Sequence, residues 1–369
     1  MPFALRDPAR GSFRSVRPPR GGALTLYVCG PTVYDDAHVG HARTYLYFDV
    51  ARRHLEAEGV RVRHVMNVTD FEDKIFDRAQ ALGVSWPTLA HRMERRFWTE
   101  LGLLGLRAPA VRPRASEHLR EMLSVVRRLI RTGRAHREGD RWIYRAPTVR
   151  RRGFPTSDAV ARHVLTEPGA PPPPGEDLRE FVLWQPPHPA GPRWPSPWGP
   201  GTPGWHLECY VMARRYLGVP VDLHGGGRDL IFPHHYAENE IAHALDRRPF
   251  ARHLLHTALV TQDGAKMSKS TGNLVPLRAA IARSGPGALR WYLLSRPYEQ
   301  GLEWRPEGLE LAGRELARAR STFAHALPTG GGGRLSLRGL RELSKVVAQE
   351  LGSDLATDRA LRAVSTYVG

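Results

Sequence analysis

The sequence predicts an α/β fold on a parallel sheet, with an insertion between the two halves of the sheet and a helical C-terminal part. Three observations carry this. Two stretches of period two flank one of helical period near the N-terminus, a βαβ unit. Buried-strand patterns return after residue 203, and the region between has a different composition. With 369 residues the chain is about two to three times an ordinary domain, so several folded units are expected.

Each element has its own signal. Leu24, Leu26 and Val28 alternate until Gly30-Pro31 stops the run, a strand entering a loop. A helix is predicted over 41–58, closed by Gly59. Val60, Val62, His64, Met66 and Val68 then alternate as a second strand. Leu119, Met122, Leu123, Val126, Leu129 and Ile130 recur at three and four residues, an amphipathic helix that Ser116 is placed to cap. Short pieces such as Trp142-Ile-Tyr144, the Pro171 to Pro174 run and the Trp/Pro-rich stretch around Trp194 and Trp198 mark an insertion with long loops. Val221-Asp-Leu223, leading into Gly225-Gly-Gly227, and Leu254 to Val260 are predicted as further buried strands. Beyond Val275 helical patterns dominate, and Gly330 to Gly333 has the composition of a flexible link. The expected division is 1–115 (first half of the sheet domain), 116–203 (helix and insertion), 204–285 (second half) and 286–369 (helical region).

No run approaches the ~18 apolar residues of a membrane span, and the five arginines within the first 20 residues are followed by no apolar stretch, so no secretory signal is read and a cytoplasmic protein is expected. The formal charge of +17 suits a polyanionic partner. Nearly all of it is arginine, which codon bias would equally produce; Lys74, Lys266, Lys269 and Lys345 are the lysines, and two of them share the segment Lys266-Met-Ser-Lys269-Ser. Cys29 and Cys209 could form a disulfide, stay as buried thiols or ligate one metal, and a reducing compartment disfavours the first.

Two segments carry chemistry. Cys29-Gly-Pro-Thr-Val-Tyr-Asp-Asp-Ala-His38-Val-Gly40-His41-Ala-Arg43 places two histidines and a glycine at the predicted helix start. A helix N-terminus favours anions, glycine lets a nucleotide base approach, and histidines can donate to phosphate oxygens. Asp263-Gly-Ala-Lys266-Met-Ser-Lys269-Ser-Thr-Gly-Asn273 presents two ammonium groups three residues apart, suited to a departing pyrophosphate.

Together these segments resemble the HIGH and KMSKS signatures of class I aminoacyl-tRNA synthetases, and their flanks are similar to those of the cysteinyl-tRNA synthetase family. The matching stretches are Tyr27-Val-Cys-Gly-Pro-Thr-Val-Tyr34, Asn67-Val-Thr-Asp70, Ser196-Pro-Trp-Gly-Pro-Gly, Gly204-Trp-His-Leu-Glu-Cys209, His224-Gly-Gly-Gly227 and Asp229-Leu-Ile-Phe-Pro-His-His235, spread from Ala23 to Trp304. The resemblance implies a Rossmann-like catalytic domain with an inserted connective domain and a C-terminal helical segment. It implies one zinc ion per chain on Cys29, Cys209, His234 and Glu238, the last two four apart on one helical face. It also implies an amino-acid pocket of Thr69, Trp205, His224 and Asp229, and ATP, with Mg²⁺, held by His38, Gly40, His41, Lys266 and Lys269. His38, His41, Lys266 and Lys269 would be the catalytic groups. A soft metal that accepts a thiolate and binds a hydroxyl poorly would select cysteine.

The implied activity is ATP-dependent activation of L-cysteine and its transfer to tRNA, through contacts with the acceptor stem, by a monomer. Two departures bear on the acceptor. Tyr236-Ala237 replaces the family's usual Glu-Asn, and the chain ends soon after Ser353-Asp-Leu-Ala-Thr-Asp-Arg-Ala-Leu, so a short form without the anticodon-binding domain is expected. The alternatives are a paralogue similar to the mycothiol-pathway ligase, passing cysteine to a small amine, and an inactive RNA-binding relic. Gly30-Pro-Thr-Val33 differs from the Gly-Ile-Thr-Pro of the mycothiol-pathway ligases, and the intact signature positions argue against a relic.

Overall fold

A computed structural model describes residues 3–6, 12–19, 21–145, 179–267, 272–326 and 337–368. The chain opens with a hairpin that no sequence signal announces, β1 (Ala4–Arg6) against β2 (Phe13–Ser15). Strand β3 (Leu24–Val28) leads into helix α1 (Val39–Ala57) and strand β4 (Val62–Met66). Helix α1 begins before the predicted residue 41 because His38 caps it; Gly59, at φ 80°, turns the chain out of it.

Helices α2 (Asp73–Ala81) and α3 (Trp86–Leu103) follow, then α4 (Leu119–Arg131). Ser116 does not cap α4. It lies in a 3₁₀ turn over Ala115–His118, and its amide and hydroxyl both donate to the Asp70 carboxylate, at 2.9 and 2.5 Å. An ionisable acceptor outbids the helix amides for that hydroxyl.

Strands β5 (Ala135–Glu138), β6 (Arg141–Tyr144), β7 (Val182–Gln185) and β8 (Thr202–Pro203) form an antiparallel sheet in that order, matching the strand-like pieces expected of the insertion. Pro171 to Pro174 lies outside the described residues. Gly204 follows β8 so closely against β7 that a Cβ there would sit 1.9 Å from the Val182 carbonyl oxygen.

Helix α5 (His206–Tyr216), strand β9 (Val221–Gly227), helix α6 (Tyr236–Asp246) and strand β10 (Ala251–Thr257) resume the α/β pattern. The predicted strand over 254–260 divides in two. Ala258 donates to the Tyr298 carbonyl at 2.7 Å, which leads the chain off the central sheet, and β11 (Val260–Gln262) pairs elsewhere, with β12 (Ala265–Lys266). Helix α7 (Leu277–Leu294), strand β13 (Leu302–Glu303) and helices α8 (Pro306–Ala326), α9 (Leu337–Gly352) and α10 (Thr357–Val368) complete the described chain. Gly330 to Gly333 lies outside the described residues.

The central sheet is parallel, in the order β10-β9-β3-β4 among the described residues, so the two strands from after the insertion join those from before it edge to edge, through the β3–β9 pair. Both faces are covered, as parallel sheets require. Leu24, Leu26 and Val28 pack on the α1 and α7 side with Leu46, Phe48 and Leu293. Tyr27 and Cys29 point the other way, into a core with Val126, Tyr210 and Ile241 from α4, α5 and α6. The C-terminal ends of β3, β4 and β9 therefore meet at one edge, where ligands bind in open parallel sheets.

Candidate functional site

The loops after β3 and β4 are stitched together: Thr69 N donates to the Pro31 carbonyl at 3.0 Å and Val33 N to that of Thr69 at 3.1 Å. Gly30 is required for this approach, since a Cβ there would lie 1.6 Å from the Asn67 carbonyl oxygen. Cys29 is held at the sheet edge by its amide, which donates to the Gly225 carbonyl of β9 at 3.0 Å. Cys209 comes from α5. His234 and Glu238 come from the turn that starts α6, where Ile231–His235 forms a π-helical turn broken by the extended Phe232.

These four side chains converge in the interior. Cys29 Sγ lies 3.5 Å from both Cys209 Sγ and Glu238 Oε1, and His234 Nε2 lies 3.3 Å from Cys209 Sγ and from Glu238 Oε1. All four residues are buried. Their proximity shifts their titration. Burial raises the Cys209 thiol, but the Cys29 hydrogen bond and the His234 charge outweigh it and bring it down to about 6. Burial lowers His234, yet the charges of Cys209 and Glu238 lift it to about 10. Burial and the adjacent Cys209 push the Cys29 thiol up.

Further groups hold the ligand atoms. Glu238 Oε2 sits 2.8 Å from His224 Nε2, whose Nδ1 donates to the Tyr27 carbonyl at 3.0 Å. His224 is thus wholly buried behind Glu238. Nδ1 of His234 is 3.0 Å from Nδ1 of His206, whose pKa burial, with the neighbouring His234, holds down to about 3, so a single proton bridges the two rings. His234 Nε2 faces the sulfur while its other ring nitrogen is held by a hydrogen-bond partner, as in a ligating histidine. Asn67 Oδ1 accepts from Gly30 N at 2.8 Å and lies 3.4 Å from Cys209 Sγ, and Thr69 donates to the buried Glu208 at 2.6 Å. His235 and His256 are paired at 2.7 Å beneath the cluster, and a second set of Cys29, His224, His235 and Glu238 also lies within ligating reach. His206, Asn67, Glu208, His235 and His256 were not among the sequence-predicted site residues; all but His256 lie in the stretches that carry the family resemblance.

Trp205 stacks on His234 at 4.2 Å and 26° and is 37% exposed, so it roofs the cluster at the surface. Thr69 is buried in the wall, and Asp229 is exposed in the short turn after β9.

The second half of the site is the start of α1. His38 Nδ1 accepts from Gly40 N at 3.1 Å and His41 N at 3.4 Å, which fixes its neutral tautomer with the proton on Nε2. The His41 ring stacks on it at 3.8 Å, and burial together with the neighbouring His38 holds His41 well below the usual histidine range. His41 is therefore a neutral hydrogen-bonding group at pH 7. Val39 N donates to the Val275 carbonyl at 3.1 Å and Leu277 N to that of Ala37 at 2.9 Å, so the segment following the lysine-bearing loop is tied to this helix start. The backbone of Lys266 is in β12; Lys269 lies outside the described residues.

Comparison with known proteins follows this geometry. Residues 15–314 match the model of the tRNA synthetases class I (C) catalytic domain. The chain is 40% identical to a cysteine–tRNA ligase of Anaeromyxobacter sp. (strain K) over 344 residues, 90% of this chain and 70% of that protein. It is 38% identical to the cysteine–tRNA ligase of Rubrobacter xylanophilus over 368 residues, 99% of this chain and 77% of the relative. Among solved structures it resembles Mycobacterium tuberculosis methionyl-tRNA synthetase in complex with methionyl-adenylate (TM-score 0.67, 18% identity, 94% of this chain and 82% of the other). It also resembles the leucyl enzyme of Agrobacterium radiobacter in a ternary complex (TM-score 0.65, 11% identity, 94% and 80%). At these identities the two structures establish the class I synthetase fold.

Proposed function

The chain belongs to the cysteinyl-tRNA synthetase family, and from that premise we propose that it activates L-cysteine with ATP and transfers it to tRNA. The observation that carries this reading is the closed Cys29, Cys209, His234, Glu238 cluster beside the histidine-bearing start of α1.

The cluster fits zinc. Ligands at ~2.0–2.3 Å from a tetrahedral centre stand about 3.3–3.8 Å from one another, and Cys29 and His234 each lie 3.3–3.5 Å from Cys209 and from Glu238. The donors are the types zinc takes, and His206 and His224 supply outer support. When bound, the ion supplies a soft site that prefers a sulfur ligand to a hydroxyl. Trp205 covers the cluster and Asp229, beside it in the β9 turn, offers a carboxylate to the substrate ammonium, with Thr69 in the wall. The cysteine carboxylate is thereby turned toward α1.

One carboxylate oxygen attacks the α-phosphorus of ATP, and the bond to the β-phosphate oxygen breaks, giving cysteinyl-adenylate and pyrophosphate. The α1 N-terminus and the neutral His38 and His41 donate to the phosphate oxygens as charge builds there. Gly40 leaves room for the nucleotide, while Lys266 and Lys269, with Mg²⁺ on the ATP, hold the leaving pyrophosphate. The tRNA terminal hydroxyl then attacks the carbonyl and releases AMP. The +17 charge serves acceptor-stem binding by a cytoplasmic monomer.

The test is transfer of labelled cysteine to total tRNA, with cysteine-dependent ATP–pyrophosphate exchange as the control for activation. Charging and about one zinc per chain are expected, with the zinc lost in Cys209→Ser. Exchange without charging would redirect the second step to a non-tRNA acceptor; no exchange at all would refute the reading.

A further inference from the structure

The hairpin that carries Lys266 has two features that set its position. It is minimal: β11 and β12 share the pairs Thr261↔Lys266 and Gln262↔Ala265. Two-stranded ribbons this short do not hold themselves. Its connection, Asp263-Gly264, has positive φ at both residues, 55° and 75°, the tight mirror-image turn whose twist matches the strands.

The other feature is an acidic side chain from the neighbouring strand. Strand β13 runs parallel to β11, with Thr261 opposite Glu303. Glu303 Oε2 accepts from the Thr261 hydroxyl and Oε1 from Gly264 N at 3.2 Å, so one carboxylate grips the hairpin at its first strand and at its turn. The Thr261 hydroxyl is the main cause, with the Gly264 amide adding to it, of a Glu303 carboxyl held below the usual range, so the gripping form is the ionised one. The backbone behind it is fixed as well. Tyr292 of α7 donates its hydroxyl proton to the Glu303 carbonyl at 2.6 Å and accepts from Arg305 N at 2.9 Å, and Trp304 N donates to the Thr261 carbonyl at 2.7 Å.

We infer that Glu303 is a positioning residue for Lys266: by clasping the Thr261 hydroxyl and the Gly264 amide it sets where the Lys266 strand leaves its turn. The inference rests on the adenylate-forming reading above, in which Lys266 meets the leaving phosphates. Glu303 itself touches no reacting atom in this scheme, so its removal alters the activation rate through Lys266 and leaves the cysteine pocket intact.

The test compares wild type, Glu303→Ala and Glu303→Gln in ATP–pyrophosphate exchange, thermal melting and amide hydrogen exchange of residues 260–267. In Glu303→Ala the kcat of exchange should fall about tenfold, the scale of one charge-assisted hydrogen bond. Its KM for cysteine and melting temperature should stay unchanged, while the Asp263 and Gly264 amides exchange faster. Glu303→Gln keeps an acceptor for the Thr261 hydroxyl and should recover part of the rate. An alanine variant with wild-type kcat, or one in which kcat, cysteine KM and melting temperature shift together, would overturn the inference. A wild-type chain without exchange activity would instead overturn the underlying reaction scheme, and the role of Glu303 with it.

Discussion

Gly30 shows how a single residue type decides the site. It carries no functional atom, yet its hydrogen is what permits the Asn67 carbonyl to lie where a Cβ would be 1.6 Å away. Because Cys29 is its neighbour and Asn67 Oδ1 reaches Cys209 Sγ at 3.4 Å, any side chain here displaces two sulfurs at once. Gly30→Ala should therefore cost about 1–3 kcal/mol in a denaturant titration, the range of core overpacking, and should lower zinc content, measured by metal analysis. Unchanged zinc in a destabilised variant would confine Gly30 to packing. Gly40 makes a different kind of contact: a Cβ there would meet the His38 ring at 2.9 Å, and a side-chain ring can turn aside where a carbonyl cannot.

At the scale of one element, α1 would, on the proposed reaction, join stability and chemistry in His38. As N-cap its Nδ1 accepts from Gly40 N and His41 N, satisfying amides that the helix leaves open. Loss of a capping side chain costs about 1 kcal/mol, whereas loss of a donor to a charging phosphate costs on the order of a hundredfold or more in rate. His38→Ala should show both losses. Asparagine is a good N-cap, so His38→Asn should regain the melting temperature without regaining the exchange rate. Recovery of both would mean that His38 serves only as a cap. The helix itself was legible from its period and from Gly59, but its first residues were not, because histidine is an unusual cap and the pattern of apolar residues begins later. Ser116 illustrates the opposite error: an ordinary capping residue in an ordinary position, diverted by the Asp70 carboxylate 46 residues earlier in sequence.

Across the whole molecule, Arg43 ties the sheet domain to the C-terminal helices. It is wholly buried, and its guanidinium donates to the carbonyls of Ala258, Pro297 and Gln300 at 2.6, 2.9 and 2.7 Å. Arg228, next to Asp229, reaches the same turn through the Glu299 carbonyl, and Tyr298 donates to Asp354 at 2.8 Å, which in turn accepts from Arg6 N at 2.9 Å. One turn thus gathers α1, the β9 loop, the N-terminal hairpin and the segment before α10. Arg43→Ala would strip three carbonyls of their partner, that of Ala258 in a buried position, and open a cavity, and should lower stability by about 3–5 kcal/mol in urea unfolding. Arg43→Lys, with fewer donors and no planar fork, should recover only part of it. Neutral stability in the alanine variant would refute this role.

The sequence by itself determined the parallel sheet and the helix that follows its first strand, since these depend on local period and on turn residues, and its short motifs named the candidate residues through the family resemblance. Only the tertiary structure decided where those residues meet. It brought Cys29 to Cys209 across 180 residues, put His224 behind Glu238, assigned His206 to orient His234, and set Glu303 against the hairpin of Lys266. The physical reason is that a proton's place and a carboxylate's partner are fixed by distances of about 3 Å in a buried, low-dielectric interior, and such distances are set by the packing of elements remote in sequence.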